Sequence, residues 1–467
     1  MRHKKNLIIL ALGAAAVFAA DFAAEGDRWW AHIQSLADDK LQGRDTGSEG
    51  YREAVKICCR DDGGVRTQAG TFGATLKMDS MSDSIAFYRH ALPVESAAAV
   101  EAVIASPFLT SGAVCKTVEK LLCEFFGTAH AFLTSSWTHG AVAALLALDI
   151  GAGDEVIVPA QTFIATANVV ELIGAKPVFV DVDPHTLLMD PAAAAAALTP
   201  RTRAVMPVHL YGQMCDVAGL RRVLAGHPDI AIIEDAAHAF ESSRDGYLPG
   251  QHSDAAIFSF YATKNVTCGE GGAIVTNRTD LAPRFHSTRL HGMSTSAADR
   301  FSGGRYNHWD MVCLGTKANL PDLLAALLPD QVRTIRDRLP ARQKMADRYR
   351  EAFAELPLRL AKVLPGCSTA EHLFPIHVPP AVRDDAIWQL NTAGVNVTVN
   401  YRSVPDTQYY RGKYGFRPEQ FPVSYHWGQG EITLPLYELL RQDQQDRVIE
   451  AVRGLSSLFA GSRIPAS

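Results

Sequence analysis

The stretch "DEVIVPAQTFIATANVVELIGAKPVFVDVD", Asp154 to Asp183, decides the fold. It opens and closes on short unbroken apolar runs, "EVIVP" and "KPVFV". Between them "TFIATANVVEL" spaces its apolar residues as a helix does, and Gly174 closes it. A strand with no polar alternation is buried on both faces, so strand, helix and strand here read as a parallel crossover unit. The same pattern extends outward. "VCKTVEKLLCEFFG" reads as a helix, "AHAFLTSS" as a strand entering a turn, and "THGAVAALLALDI" as a helix ended by Gly151. "RTRAVMPVHLYG" and "IAIIEDAAHAF" add two more strands. The expectation is an α/β fold with a mainly parallel sheet covered on both sides. In such sheets ligands gather at the carboxyl ends of the strands, so the residues that follow each strand carry the functional reading.

Beyond this region, "PDLLAALLPDQVRTIRDRLPARQKMADRYREAFAEL" is helical in pattern, with Pro329 and Pro340 expected to break or kink it. "EHLFPIHVP" and "GVNVTVNY" read as strands, and "RQDQQDRVIEAVRGL" as a closing amphipathic helix. These form a smaller α+β domain. The chain thus divides into residues 1–25, 26–80, 81–328 and 329–467. The first segment, "MRHKKNLIILALGAAAVFAADFAA", has the basic start, short apolar run and small residues of a secretory signal. The second joins it to "MDSMSDSIAFYRHALP" through an irregular Gly- and Asp-rich junction. Met81 reads as a natural start, and the expectation is that the preceding residues are a fused or extraneous segment.

The chain has 467 residues, 47% of them hydrophobic and 20% charged, with a net charge of −5. That suits a globular protein with a large core and argues against nucleic acid as a partner, since no basic stripe stands out. Its eight cysteines are scattered, without a Cys-x-x-Cys pair, so neither a disulfide framework nor a zinc ribbon is expected.

Four strand ends hold chemistry-bearing residues. Ser135-Ser136-Trp137-Thr138 leads straight into a helix, whose free amides can cradle a phosphate, although a plain N-cap has the same sequence. Thr162-Phe163 places an aromatic ring where it could stack on a planar ligand. Asp235, with His238 three residues later, places a carboxylate at the sheet mouth, where it could hold a cationic nitrogen. Ser259 precedes Lys264, a single lysine among aromatic and small residues in "FSFYATKNVTCGEGGAIVTN". Burial penalises an ammonium and lowers its pKa, leaving an amine able to form a Schiff base with an aldehyde. Each motif alone has a plainer reading as cap, core or surface residue. Together, cradle, aromatic plate, aspartate and lysine are the parts of a pyridoxal 5′-phosphate site.

These residues carry a resemblance. "GDEVIVPAQTFIATANVVELIGAKPVFVDVDP", "PVHLYG", "EDAAHAF", "SDAAIFSFYATKNVTCGEGGAIVTN" and "KYGFRPEQFPVS" with "ITLPLY" resemble the DegT/DnrJ/EryC1/StrS family of nucleotide-sugar aminotransferases over residues of about 90 to 460. The resemblance implies the aspartate-aminotransferase fold, fold type I, and a homodimer with shared sites. It makes Lys264 the Schiff-base lysine and Asp235 the partner of the pyridine nitrogen. It sets His238 at the ring hydroxyl, Phe163 on the ring, and Ser136, Trp137 and Ser259 at the phosphate. Asn319 would reach the phosphate of the partner subunit's site, and His209 and Tyr211 would lie in a loop facing the substrate. The implied reaction moves nitrogen from L-glutamate to a keto sugar on a nucleoside diphosphate, a 4-keto-6-deoxy hexose first and a 3-keto sugar second, without a metal.

Three departures from the family pattern stand out. Trp137 replaces a small residue, Gly315-Thr316-Lys317-Ala318 replaces "GYxY", and Asn400-Tyr401-Arg402-Ser403-Val404-Pro405 replaces "HYxPLH". The altered loops leave open a cofactor-binding regulatory or inactive member of the family. Relatives that dehydrate the sugar carry histidine in place of the lysine, which Lys264 opposes. Residues "DRWWAHIQSLADDKLQGRDTGSEGYREAVKI" resemble the opening of exported zinc aminopeptidases, but that family's metal ligands do not follow. The substrates and cofactor of the aminotransferase reading are cytoplasmic, so a cytoplasmic location is expected despite the leader-like start.

Overall fold

The computed structural model describes residues 84–295, 306 and 308–459. The leader-like segment, the aminopeptidase-like stretch and the start at Met81 lie outside the described residues. The strands are β1 (His130–Thr134), β2 (Glu155–Pro159), β3 (Lys176–Val180), β4 (Thr202–Val205), β5 (Ala231–Asp235), β6 (Ser243–Arg244), β7 (Ala255–Ser259), β8 (Gly272–Thr276), β9 (Arg359–Leu360), β10 (Cys367–Ser368), β11 (Phe374–His377) and β12 (Glu431–Leu434).

Seven of them form one sheet in the order β1-β8-β7-β5-β4-β2-β3. β8 runs antiparallel to both its neighbours, and the other pairings are parallel. The carboxyl ends of six strands therefore meet at one sheet edge, together with the amino end of β8. Both faces are covered, as the unbroken apolar runs require. Along β2, Val156 and Val158 enter one core while Ile157 enters another. Along β7, Ile257 and the pair Ala256 and Phe258 divide in the same way.

A separate core is built on β12-β11-β9. The helix Pro329–Phe353 serves both sides: Val332 and Ile335 pack into the core beneath the large sheet, and Ala346, Tyr349 and Phe353 into the smaller core. The expected break falls at Pro329, where this helix begins after the short helix Asp322–Ala325 has ended. Pro329 stands in the first turn, where its missing N–H costs nothing, and the helix runs through Pro340. Pro340 and Arg336 are exposed, so water can reach the carbonyl that loses its partner. The predicted strand "GVNVTVNY" is reduced to isolated bridges, Val395 with Ile85 and Thr398 with Thr433. Among the described residues no helix is long and apolar enough to cross a membrane.

Gly272, at the start of β8, lies between Thr134 and Ser259, the last residues of β1 and β7. A methyl group there would stand 2.7 Å from the Phe258 carbonyl oxygen and 2.8 Å from the Trp137 nitrogen. Only glycine lets the strand pass this close under the helix that begins at Trp137. Gly272→Ala is expected to cost about 1–3 kcal/mol through forced backbone shifts. A thermal melt would show this as a lowered midpoint.

Candidate active site

The sheet edge opens into a cavity of about 390 Å³. After β1 come Ser136, Trp137 and Thr138; after β2, Thr162 and Phe163; after β4, Val208 and Leu210; after β5, Asp235, Ala237 and His238; after β7, Ser259, Tyr261 and Lys264. Glu270 and Gly271 precede β8. His372, Leu373, Thr398, Asn400 and Tyr401 close the cavity from the side of the smaller core.

Ser136 caps the helix Trp137–Ala147, its Oγ accepting from the His139 amide at 3.1 Å. The first-turn amides and this hydroxyl therefore face the cavity as an anion cradle. Trp137 is buried among apolar side chains, and its indole N–H has no hydrogen-bond partner among the described residues. Phe163 is half exposed, with its ring 5.3 Å from that of Tyr401. Ser259 accepts from the Tyr261 amide at 3.3 Å.

Asp235 is buried at the end of β5. Its carboxylate accepts from Thr166 Oγ1 at 2.8 Å and from the Ala237 amide at 3.1 Å. Burial raises its pKa, while those two hydrogen bonds and the charge of Lys264 act in the opposite sense. Lys264 is half buried and lines the same cavity; burial lowers its pKa to about 8, with Asp235 opposing. His238 Nδ1 accepts from the Tyr211 amide at 3.2 Å, so its proton sits on Nε2, 3.3 Å from the Tyr401 hydroxyl. Burial, with Lys264 and His372 nearby, keeps this imidazole neutral.

Two expected residues have side chains turned from this cavity, and Asn319, expected at the partner subunit's site, also lies off it. His209 is fully buried beneath the sheet edge, 2.6 Å from Glu234, and its Nδ1 accepts from the Cys215 amide at 3.1 Å. Tyr211 is buried, and its hydroxyl donates to the Asn400 carbonyl at 2.6 Å and accepts from Trp427. The loop faces the cavity through Val208 and Leu210, while these two side chains are buried away from it. Asn319 lies beside Thr134 at the outer strand and donates to Ser111 Oγ at 2.6 Å, off this cavity. The sequence reading missed Thr166, Tyr401, His372 and Asn265. Thr166 left a trace one helical turn after Thr162, and Tyr401 one in the altered motif that begins at Asn400.

This donor set fits pyridoxal phosphate: a buried carboxylate facing an open cavity, an amine with lowered pKa, a neutral imidazole N–H and an anion cradle. The DegT/DnrJ/EryC1/StrS aminotransferase family model matches residues 91–453. The chain belongs to this family. Its members' architecture agrees: Spr1654 from Streptococcus pneumoniae, solved in apo, PMP and PLP forms, is 28% identical in the apo form, with a TM-score of 0.75 over 81% of this chain and 98% of that one. DesV of S. venezuelae is 31% identical, with a TM-score of 0.72 over 79% and 95%. PseC of Helicobacter pylori is 25% identical, with a TM-score of 0.74 over 80% and 100%. The enzyme is an aminotransferase of fold type I with pyridoxal phosphate as cofactor.

In cofactor-stripped aminotransferase, acylation of Lys264 should titrate with a midpoint at about pH 8. The titratable groups that line the cavity with the amine are Asp235, His238, Tyr261, Glu270, His372 and Tyr401. Asp235 favours the ammonium form, so Asp235→Asn should shift the midpoint to lower pH. Mass spectrometry of the Lys264 peptide across a pH series reads both.

Proposed function

We propose that the enzyme transfers an amino group from L-glutamate to a nucleotide-linked keto sugar, a 4-keto-6-deoxy hexose. Support comes from Lys264 and Asp235 facing one large cavity, and from relatives whose names point to sugars. Spr1654 is described as a sugar aminotransferase, and PseC as an aminotransferase in pseudoaminic acid biosynthesis. Such products serve cell-surface polysaccharides or secondary metabolites. The proposal includes a homodimer with shared sites, in which Asn319 serves the partner subunit's phosphate site, and a cytoplasmic location, where nucleotide sugars are made. It also takes residues 81–328 as the cofactor domain and 329–467 as the smaller one.

Bound pyridoxal phosphate supplies an electron sink for the carbanion formed at the donor carbon. The chain's residues do the rest. Ser136, the amide of Trp137 and Ser259 would hold the phosphate, and Phe163 the ring face. Asp235, oriented by Thr166 and the Ala237 amide, would keep the ring nitrogen protonated. His238, its proton fixed on Nε2, would donate to the ring hydroxyl. Lys264 Nζ would take the proton from the donor α-carbon and hold it for the return transfer. In the second half it reverses this at the sugar carbon. Burial holds the amine near neutrality, where it can both accept and give a proton.

The PLP-loaded enzyme should absorb near the visible edge, and L-glutamate should bleach that band. Lys264→Ala should lack it. Asp235→Asn should lose at least about 100-fold in turnover, in the range set by general acid–base catalysis. Mass analysis after incubation with 4-keto and 3-keto nucleotide sugars identifies the acceptor. A band indifferent to glutamate and to other amino acids would support a regulatory protein instead.

A further inference from the structure

Behind Lys264 lies a chain of hydrogen bonds with a defined direction. Asn265 Nδ2 donates to Glu241 Oε1 at 2.8 Å and to the Ala370 carbonyl at 3.0 Å. Both partners are acceptors, so the amide can sit only one way round, with Oδ1 toward His372. That oxygen is 3.2 Å from His372 Nδ1 and can only accept, so Nδ1 carries the imidazole proton. His372 Nε2 is then a bare lone pair, 3.3 Å from Lys264 Nζ. Burial, together with the charges of Lys264 and Arg342, keeps the ring neutral.

The chain continues outward through charge. Glu241 pairs with Arg342, which also reaches Glu438 at 2.7 Å and the same Ala370 carbonyl at 3.2 Å. The His372 segment is tied down by its own backbone. The Ala370 amide meets the Gly212 carbonyl at 3.1 Å, and the His372 amide meets the Tyr211 carbonyl at 3.2 Å. His238, with its ring centroid 4.5 Å from that of His372, cannot take over, because its Nδ1 is already filled by the Tyr211 amide. Among the described residues, His372 is thus the imidazole with a lone pair free for Lys264.

We propose that His372 is a positioning residue for Lys264: its Nε2, set as an acceptor by Asn265, holds the freed lysine amine at the cavity floor during proton transfer. This rests on the transamination reading of the site. It assigns a task to a side chain of the smaller core, so proton transfer depends on that core sitting against the sheet edge.

The test uses His372→Leu, which removes the acceptor and still excludes water, and His372→Gln, whose amide oxygen can replace it. Cofactor-stripped proteins are mixed with PLP at about pH 9.5, where the amine is neutral in every variant, and uptake is followed by absorbance. Uptake then reports position and not protonation. His372→Leu should slow uptake about tenfold or more, within the range for a misplaced reacting group, and His372→Gln should stay within about threefold of wild type. Acylation of Lys264 in the same stripped proteins should show a lower pH midpoint in His372→Leu, because the ammonium form loses its partner. If His372→Leu does not fold, Asn265→Leu takes its place. It frees the imidazole to turn Nε2–H toward the lysine, and it should slow uptake with the same sign. Wild-type uptake rates and midpoints in the acceptor-free variant would overturn the proposal, as would equal losses in the Leu and Gln variants. None of these readings needs an amino donor or a sugar. Failure of the reaction assignment would appear separately, as a wild-type protein that takes up PLP without responding to any amino acid.

Discussion

A primary amine withdrawn from water is the constraint around which this molecule is arranged. Lys264 cannot be solvated as an ordinary surface ammonium, and its pKa falls to about 8. A lysine in that condition is a liability in a core and an asset at a reaction centre. The fold makes the position tenable. Six strands end at one sheet edge, and the turns that follow bring an anion cradle, a carboxylate, an imidazole and the amine to one cavity. Gly272 permits the close passage of β8 beneath the cradle on which this convergence depends.

Much of this was legible in the sequence because both rules involved are local. Unbroken apolar runs mark doubly covered strands, and the residue after such a strand is at the mouth. Asp235, Ser136, Phe163 and Lys264 were found that way. At "PVHLYG" the same rule found the loop but not the side chains that line the cavity. His209 and Tyr211 also follow a strand, but Val208 and Leu210 line the cavity and the two polar side chains are buried behind them. A rule that locates a loop does not locate the side chains along it. At Pro340 the helix continues without a break: the proline falls on an exposed helix side, where the lost hydrogen bond can be replaced by water.

What the sequence could not disclose comes from the second core. His372 lies 108 residues from Lys264 in sequence, in a segment with no motif of its own. Tyr401 sits where a family motif is altered, and it meets both Phe163 and His238. The helix Pro329–Phe353 packs into both the smaller core and the core beneath the sheet. The contacts of His372 and Tyr401 give the site its far wall and tie the lysine to Arg342, Glu241 and Glu438 through directed hydrogen bonds.

The most direct measurement is chemical. The PLP-loaded protein is reduced with borohydride, digested, and its peptides are mapped by mass. The account predicts the phosphopyridoxyl group on the nitrogen of Lys264. A label on any other lysine, or no label in a protein that retains the cofactor, would contradict it.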